Sequence, residues 1–96
     1  MREIRLAPEA IGDLADIRRH TIKRWGADRA RAYLGGLGIL FDQIAKGVAR
    51  TRPADEIRPS YRRIRYRSHI VFLIEDDASI RVMRVLHARM DFKTHL

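Results

Sequence analysis

The C-terminal stretch RVLHARMDFKTHL sets His87, Arg89, Asp91, Lys93 and His95 at every second position, directly after an apolar run. Histidine titrates near neutral pH, so His87 or His95 could move a proton while Arg84 and Arg89 steady a phosphate. A second set lies upstream in YRRIRYR, where Tyr61, Arg63, Arg65 and Arg67 share one parity. On a strand they would line one face at about 7 Å intervals and, with Arg81 and Arg84, grip phosphates or a carboxylate-rich segment. A solvated outer face is the plainer account, but arginine interleaved with tyrosine favours a binding face. His69 and His87 form a third candidate. A hairpin symmetric about residues 77 and 78 sets His69 opposite Leu86 and near His87. Two imidazoles at that range serve as acid and base, or begin a metal site. Zinc wants a third protein ligand, and none is specified nearby. No metal or cofactor is therefore expected, and a structural role for the pair comes ahead of catalysis. The chain carries no Gly-rich phosphate loop, GxSxG, HExxH or acidic pair at metal-binding spacing.

The whole chain bounds what can position these groups. Its 96 residues make one domain, residues 1–96, large enough to bury roughly 60–70% of its unfolded surface. Hydrophobic residues make up 46%, which favours a globular fold over disorder. The absence of cysteine excludes disulfides, thiolate metal sites and a cysteine nucleophile. MREIRLAPEA lacks the apolar core of a signal peptide, and charges interrupt every apolar run, so a cytoplasmic protein without a membrane span is expected. Lysine and arginine total 20 against 12 acidic residues, and the net charge is +8. Seventeen of those cations are arginine, whose planar guanidinium suits carboxylate and phosphate alike, so an acidic protein and a nucleic acid both fit as partners.

The elements follow from periodicity. REIRL (Arg2 to Leu6) alternates as a short strand, and Pro8 suits the first turn of a helix. Ile11, Leu14, Ala15, Ile22 and Trp25 recur at helical spacing, with the Arg18 stem on the same stripe, predicting a helix from about Glu9 to Trp25. Trp25 closes that stripe and is expected to be mostly buried, its truncation costing about 3–5 kcal/mol. Gly26 ends the helix as a cap, and a second begins at once with Asp28 near its start. Ala30, Tyr33, Leu34, Leu37, Phe41, Ile44 and Val48 form the second stripe, so the two helices fold back as an antiparallel hairpin. Gly35, Gly36 and Gly38 each cost about 1 kcal/mol inside a helix relative to alanine. They point to close packing on the protein's own sheet, or less readily to a helix from a partner. Lys46 to Ser60 reads as a loop. Tyr61 to Arg67, His69 to Ile74, and SIRVMRVLH as far as His87 then form a three-stranded meander. The expected fold is α+β, an open antiparallel sheet with the helical hairpin on one face, in the order β-α-α-β-β-β.

Read together, IRLAPEAIGDLADI, WGADRARAYL, SHIVFLIE and above all IRVMRVLHARMDFKTHL resemble the ParE toxins of bacterial type II toxin–antitoxin modules, within the RelE/ParE superfamily. The resemblance spans nearly the whole chain. It implies the fold just derived and a non-enzymatic toxin acting on DNA gyrase. It also implies neutralisation by a ParD-like antitoxin, a ribbon-helix-helix dimer whose C-terminal segment wraps the toxin and through which alone operator DNA is reached. The RelE relatives instead cut mRNA on the ribosome, and that activity is the alternative, followed by a non-toxic basic binding module. The tail lacks the tyrosine expected of such a nuclease, and Asp91 would sit beside any bound phosphate. FLIE also places Glu75 where relatives often carry a basic residue. On this reading Tyr61, Arg63, Arg65 and Arg84 are the antitoxin-binding candidates. His87, Arg89, Asp91 and His95 are the target-binding candidates, with no catalytic residue assigned.

Overall fold

The computed structural model describes all 96 residues. Strand β1 (Glu3–Leu6) leads into helices α1 (Pro8–Trp25) and α2 (Ala27–Ala45). A two-residue strand β2 (Arg52–Pro53) precedes β3 (Arg62–Tyr66), β4 (His69–Glu75) and β5 (Ser79–His87), and a short helical turn, α3 (Phe92–His95), closes the chain. The five strands form one sheet in the order β1-β5-β4-β3-β2.

The helix boundaries obey local chemistry. Pro8 occupies the first turn of α1, where its missing N–H costs nothing. Gly26 alone links the helices at φ 94°, and its N–H returns to the Ile22 carbonyl. A side chain at that φ would be strained, so glycine is what lets the hairpin reverse in one residue.

The sheet corrects two expectations: a fifth strand, β2, forms inside the stretch read as a loop, and β1 is not antiparallel to its neighbour. β1 runs parallel to β5, pairing Glu3 with Ser79 through Leu6 with Val82, whereas the other neighbours are antiparallel. The reason is directional. The two helices cancel one another, and the end of α2 returns to the start of β1, where the Arg2 N–H meets the Ala45 carbonyl. β3 thus sets out from the same end as β1, and an up-down-up meander aligns β5 with β1.

Two cores sit on the two sheet faces. The larger packs α1 and α2 on the sheet and fully buries Leu37, Ile44, Val71, Leu73, Ile80 and Val82; each such side chain contributes about 1.5–3 kcal/mol of transfer free energy. Behind the sheet, Ala54, Tyr61, Phe72 and Leu86 form a second cluster, covered by Ile57 and by Phe92 and Leu96 of the C-terminal turn. The chain after His87 therefore stops being a strand and folds over the rear face.

The first helix is rotated from its expected setting. Ala10 and Ile17 are its buried residues, with Leu14 half-buried, while Ile11 is 55% and Trp25 56% exposed. The buried face runs through Ala10, Asp13, Leu14, Ile17 and Thr21, and it includes a carboxylate that apolar periodicity passes over. Trp25 lies beyond the sheet's end, with the guanidiniums of Arg24 and Arg29 over its ring at 5.3 and 5.0 Å. It carries little of the core, and the large truncation penalty does not apply. The second stripe is buried at Ala30, Leu37, Phe41 and Ile44, but Val48 lies past the helix and is exposed. Of the three glycines, Gly36 meets the expectation of packing on the protein's own sheet. A Cβ there would lie 2.0 Å from the Tyr66 hydroxyl, which docks on α2 and donates to the Tyr33 carbonyl. Gly35 and Gly38 face open space.

Candidate functional site

The predicted residues fall into three separate environments. Tyr61 is buried beneath the sheet's rear face and offers no free surface. Arg63 and Arg65 stand on β3: Arg63 reaches Glu56 at 3.4 Å, and Arg65 is exposed and bonded only to the Arg67 carbonyl. Arg84 shares the lateral row of Arg63, since both pair with Phe72 from opposite sides. Its guanidinium is nevertheless committed. Nε and Nη2 donate to the two carboxylate oxygens of Asp13 at 2.8 and 2.9 Å, and Nη1 donates to the His95 carbonyl at 2.6 Å.

Asp13 explains why this ion pair exists. β1 stops at Leu6, leaving the edge of β5 that faces away from β4 unpaired beyond Val82. α1 runs on alongside, and the Asp13 carboxylate accepts the Val85 N–H at 2.9 Å, satisfying an edge donor that would otherwise be orphaned. The spacing from Ala10 to Asp13 to Ile17 is compatible with this placement, but nothing in α1 itself announces the role.

The tail candidates are dispersed. His87 lies on the helical side, and its Nδ1 accepts the Arg89 N–H. Arg89 and His95 are exposed. Asp91 caps α3, accepting from the Lys93 N–H and the Thr94 hydroxyl, and these bonds hold its carboxyl below the usual range. Its charge belongs to a helix cap rather than to a phosphate site.

His69 and His87 do come together. The expected register holds near the turn, where Glu75 faces Ile80 and Leu73 faces Val82. A bulge in β5 at Met83 then shifts the pairing by one, so that Arg84 faces Phe72 and His87 directly faces His69. The imidazole centroids are 5.4 Å apart, edge to face. The Tyr33 hydroxyl lies 2.7 Å from His69 Nδ1. Burial, then the positive potential of His87 and His20, pushes the His69 imidazole down to about 4, with Asp13 working weakly the other way. At neutral pH the imidazole is thus uncharged, and Nδ1 and the Tyr33 hydroxyl share one hydrogen bond. Burial also raises the Tyr33 phenol, so neither group is poised as a base.

This has a consequence for stability. An unfolded histidine binds its proton near pH 6.5, whereas His69 in the fold waits until about 4. Between those values the unfolded state holds more protons, so stability falls as pH drops through 6.5 and the loss is complete below 4. Because the ring is half-buried, the expected loss is about 1–2 kcal/mol rather than the full shift. Melting curves at neutral and mildly acidic pH should show it, and His69→Gln, which keeps an acceptor for Tyr33, should flatten the difference. An unchanged slope in that variant would place the pH dependence elsewhere.

Glu75, the acidic residue at the end of β4, is a structural hub. It accepts from Arg2 Nη1 at 2.8 Å and from the Thr51 hydroxyl, and it lies 3.3 Å from Arg62 Nε. Burial works to raise its carboxyl, but these hydrogen bonds and cations prevail and lower it. It ties the N-terminus, the long loop and β3 to the sheet.

The sequence comparisons agree with this architecture. The family model described as the ParE toxin of the type II toxin–antitoxin system, parDE, matches residues 4–92. This chain belongs to the ParE toxin family. Toxin ParE1 of Mycobacterium tuberculosis is 40% identical over 92 residues, covering 95% of this chain and 94% of the relative. Toxin ParE1 of Caulobacter vibrioides is 33% identical over 96 residues, covering 100% and 99%. A solved structure described as a chromosomal ParDE TA system from P. aeruginosa shares the fold, with a TM-score of 0.75 at 16% identity and coverage of 91% of this chain and 96% of that one. In this ParE chain the family match thus runs from β1 to the start of the C-terminal turn.

Proposed function

We propose that this ParE family member is the toxin of a ParDE-type module. In this reading it works in the cytoplasm, is held inactive by a ParD-like antitoxin, and when free binds DNA gyrase without itself being an enzyme. The observation that carries this reading is the match to Toxin ParE1 relatives, which covers 95–100% of this chain and 94–99% of theirs. The dispersal of the tail argues against a nuclease centre built from the tail's own residues. A nuclease of RelE type would need a proton-transfer group beside phosphate-binding cations. Here His87 lies on the helical side, His95 is exposed, and Arg84 is taken by Asp13.

The deciding experiment adds the purified protein to gyrase and supercoiled DNA and scores trapped cleavage complexes. Their accumulation, abolished by the antitoxin, is the expected result. Ribosome-dependent mRNA cleavage lost in His87→Gln would establish the nuclease reading. Growth unaffected on expression would leave the basic binding module.

For the antitoxin, an acidic amphipathic segment is the fitting partner. Its carboxylates would lie against Arg63 and Arg65, and its apolar side against exposed residues of the helical hairpin such as Ile11 and Ile39. Arg84, already neutralised, contributes less than its place in the row implies. Such a segment loses chain entropy on binding and needs a large interface. Changing Arg63 and Arg65 together to Glu should weaken the complex by about tenfold or more, through like-charge repulsion. Unaltered affinity by calorimetry would exclude this face.

A further inference from the structure

We propose that the cleft at the His69 end of the sheet binds a nucleotide unit, its phosphate gripped by arginine and its base laid against Trp25. The cleft holds about 450 Å³ between the C-terminal turn of α1, the first turns of α2 and the β3–β4 hairpin. That volume falls in the range of small-molecule sites, about 300–1,000 Å³.

Three observations identify the ligand chemistry. Arg24, Arg29 and Arg67 line the cleft, and none has a carboxylate partner, although seven other arginines of the chain do. No acidic residue lines it. Three guanidiniums brought together without counter-charge repel one another, and a phosphate relieves that repulsion while accepting their paired N–H donors. The imidazoles of His20, His69 and His87 also line the cleft, adding N–H donors that an anion can recruit. The second observation is the aromatic wall. Trp25 is 56% exposed and contributes little to the core, yet it forms part of this cleft beside Tyr33. The indole already carries the Arg24 and Arg29 guanidiniums over its ring, so a base takes the place of one of these planes while the displaced cation meets the phosphate, each base stack being worth about 1–3 kcal/mol. The third is the backbone of Arg67. It occupies the first position of a two-residue hairpin turn at φ 50°, where glycine would be comfortable. The strain is tolerated at a position that delivers a cation to the cleft, as is common where a side chain has a binding role.

A free nucleotide and a single-stranded nucleic acid present the same unit, and the test separates them. The site is distinct from the Arg63–Arg65 face, and its existence does not depend on gyrase being the target. Trp25 is the sole tryptophan of the chain, so its fluorescence reports on this cleft alone. The full-length protein would be titrated with a nucleoside monophosphate, with pyrophosphate, with a short single-stranded oligonucleotide and with polyglutamate, and affinities measured by calorimetry. Saturable change in Trp25 emission by a nucleotide-bearing probe, competed by pyrophosphate, is the expected result. The double variant Arg29→Gln/Arg67→Gln should bind about tenfold or more weakly, while Arg63→Gln/Arg65→Gln should bind as the parent does. Both cleft arginines are exposed, and a melting curve checks that the variant folds. Equal saturation by monophosphate and oligonucleotide would identify a free-nucleotide site, and saturation by the oligonucleotide alone a nucleic-acid site. The proposal is overturned by no saturable change with either nucleotide probe, by equal loss in the two double variants, or by polyglutamate binding as tightly as the nucleotides.

Discussion

Asp13→Ala is expected to destabilise the domain by about 2–4 kcal/mol, a large share of the roughly 5–15 kcal/mol that holds such a fold together. The carboxylate is 11% exposed and does two jobs at once. It closes the unpaired edge of β5 by accepting the Val85 N–H, and it takes a two-pronged grip from Arg84. Alanine leaves an edge N–H facing the underside of a helix and a guanidinium, 22% exposed, without its counter-charge. The penalty arises from those abandoned donors more than from the lost attraction, so the asymmetry of unmade hydrogen bonds sets its size. Asp13→Asn keeps one oxygen and should fall between parent and alanine. Arg84→Ala should cost less than Asp13→Ala, because the carboxylate keeps Val85 and meets water. Denaturant unfolding of the two single variants and the double variant would give the coupling between them. A loss under about 1 kcal/mol for Asp13→Ala would mean that water replaces the carboxylate at the strand edge.

Much of this fold was legible because its signals are local. Pro8 and Gly26 mark helix ends by their own backbone limits, and the alternation of YRRIRYR can only sit on a strand with Ile64 and Tyr66 facing the helices. What escaped was set by partners distant in sequence. The buried face of α1 contains Asp13 because β5 outruns β1, and no periodicity within α1 announces a neighbour's missing strand. Trp25 lies on an apolar stripe, yet α1 extends past the end of the sheet and leaves the indole uncovered. The bulge at Met83 was likewise silent, since every residue around it suits a strand, but it decides that His87 rather than Leu86 stands against His69. Glu75 looked out of place beside family relatives. Arg2, Thr51 and Arg62 show what it does here, and only the folded chain gathers them.

Removing Met90 to Leu96 is expected to destabilise the protein strongly, and to lower toxicity for that reason before any question of target contact arises. If the tail were a free docking surface, its loss would subtract contact area and leave the domain intact. Its side chains are instead built into the rear core. Phe92 meets Phe72 edge to face with centroids 5.0 Å apart, and Leu96 packs on the same cluster. The His95 carbonyl ties down Arg84. Half-burial of Phe92 and Leu96 is worth about 1–1.5 kcal/mol each, and the aromatic pair adds about 0.5–1.5 kcal/mol. Truncation should therefore cost about 3–4 kcal/mol and uncover Phe72, which is fully buried in the intact chain. Phe92→Ala alone should account for more than half of that loss, whereas Phe92→Leu should be mild. His95→Gln should change neither stability nor toxicity, because the structure uses the backbone of His95 and leaves its imidazole exposed. Thermal melts of the truncated chain and the three single variants, set beside growth arrest on expression, separate the two accounts. A truncated protein that melts like the parent and yet loses toxicity would return the tail to the role of a docking surface. Loss of both together, with Phe92→Ala tracking the truncation, makes the tail the lid of the second core.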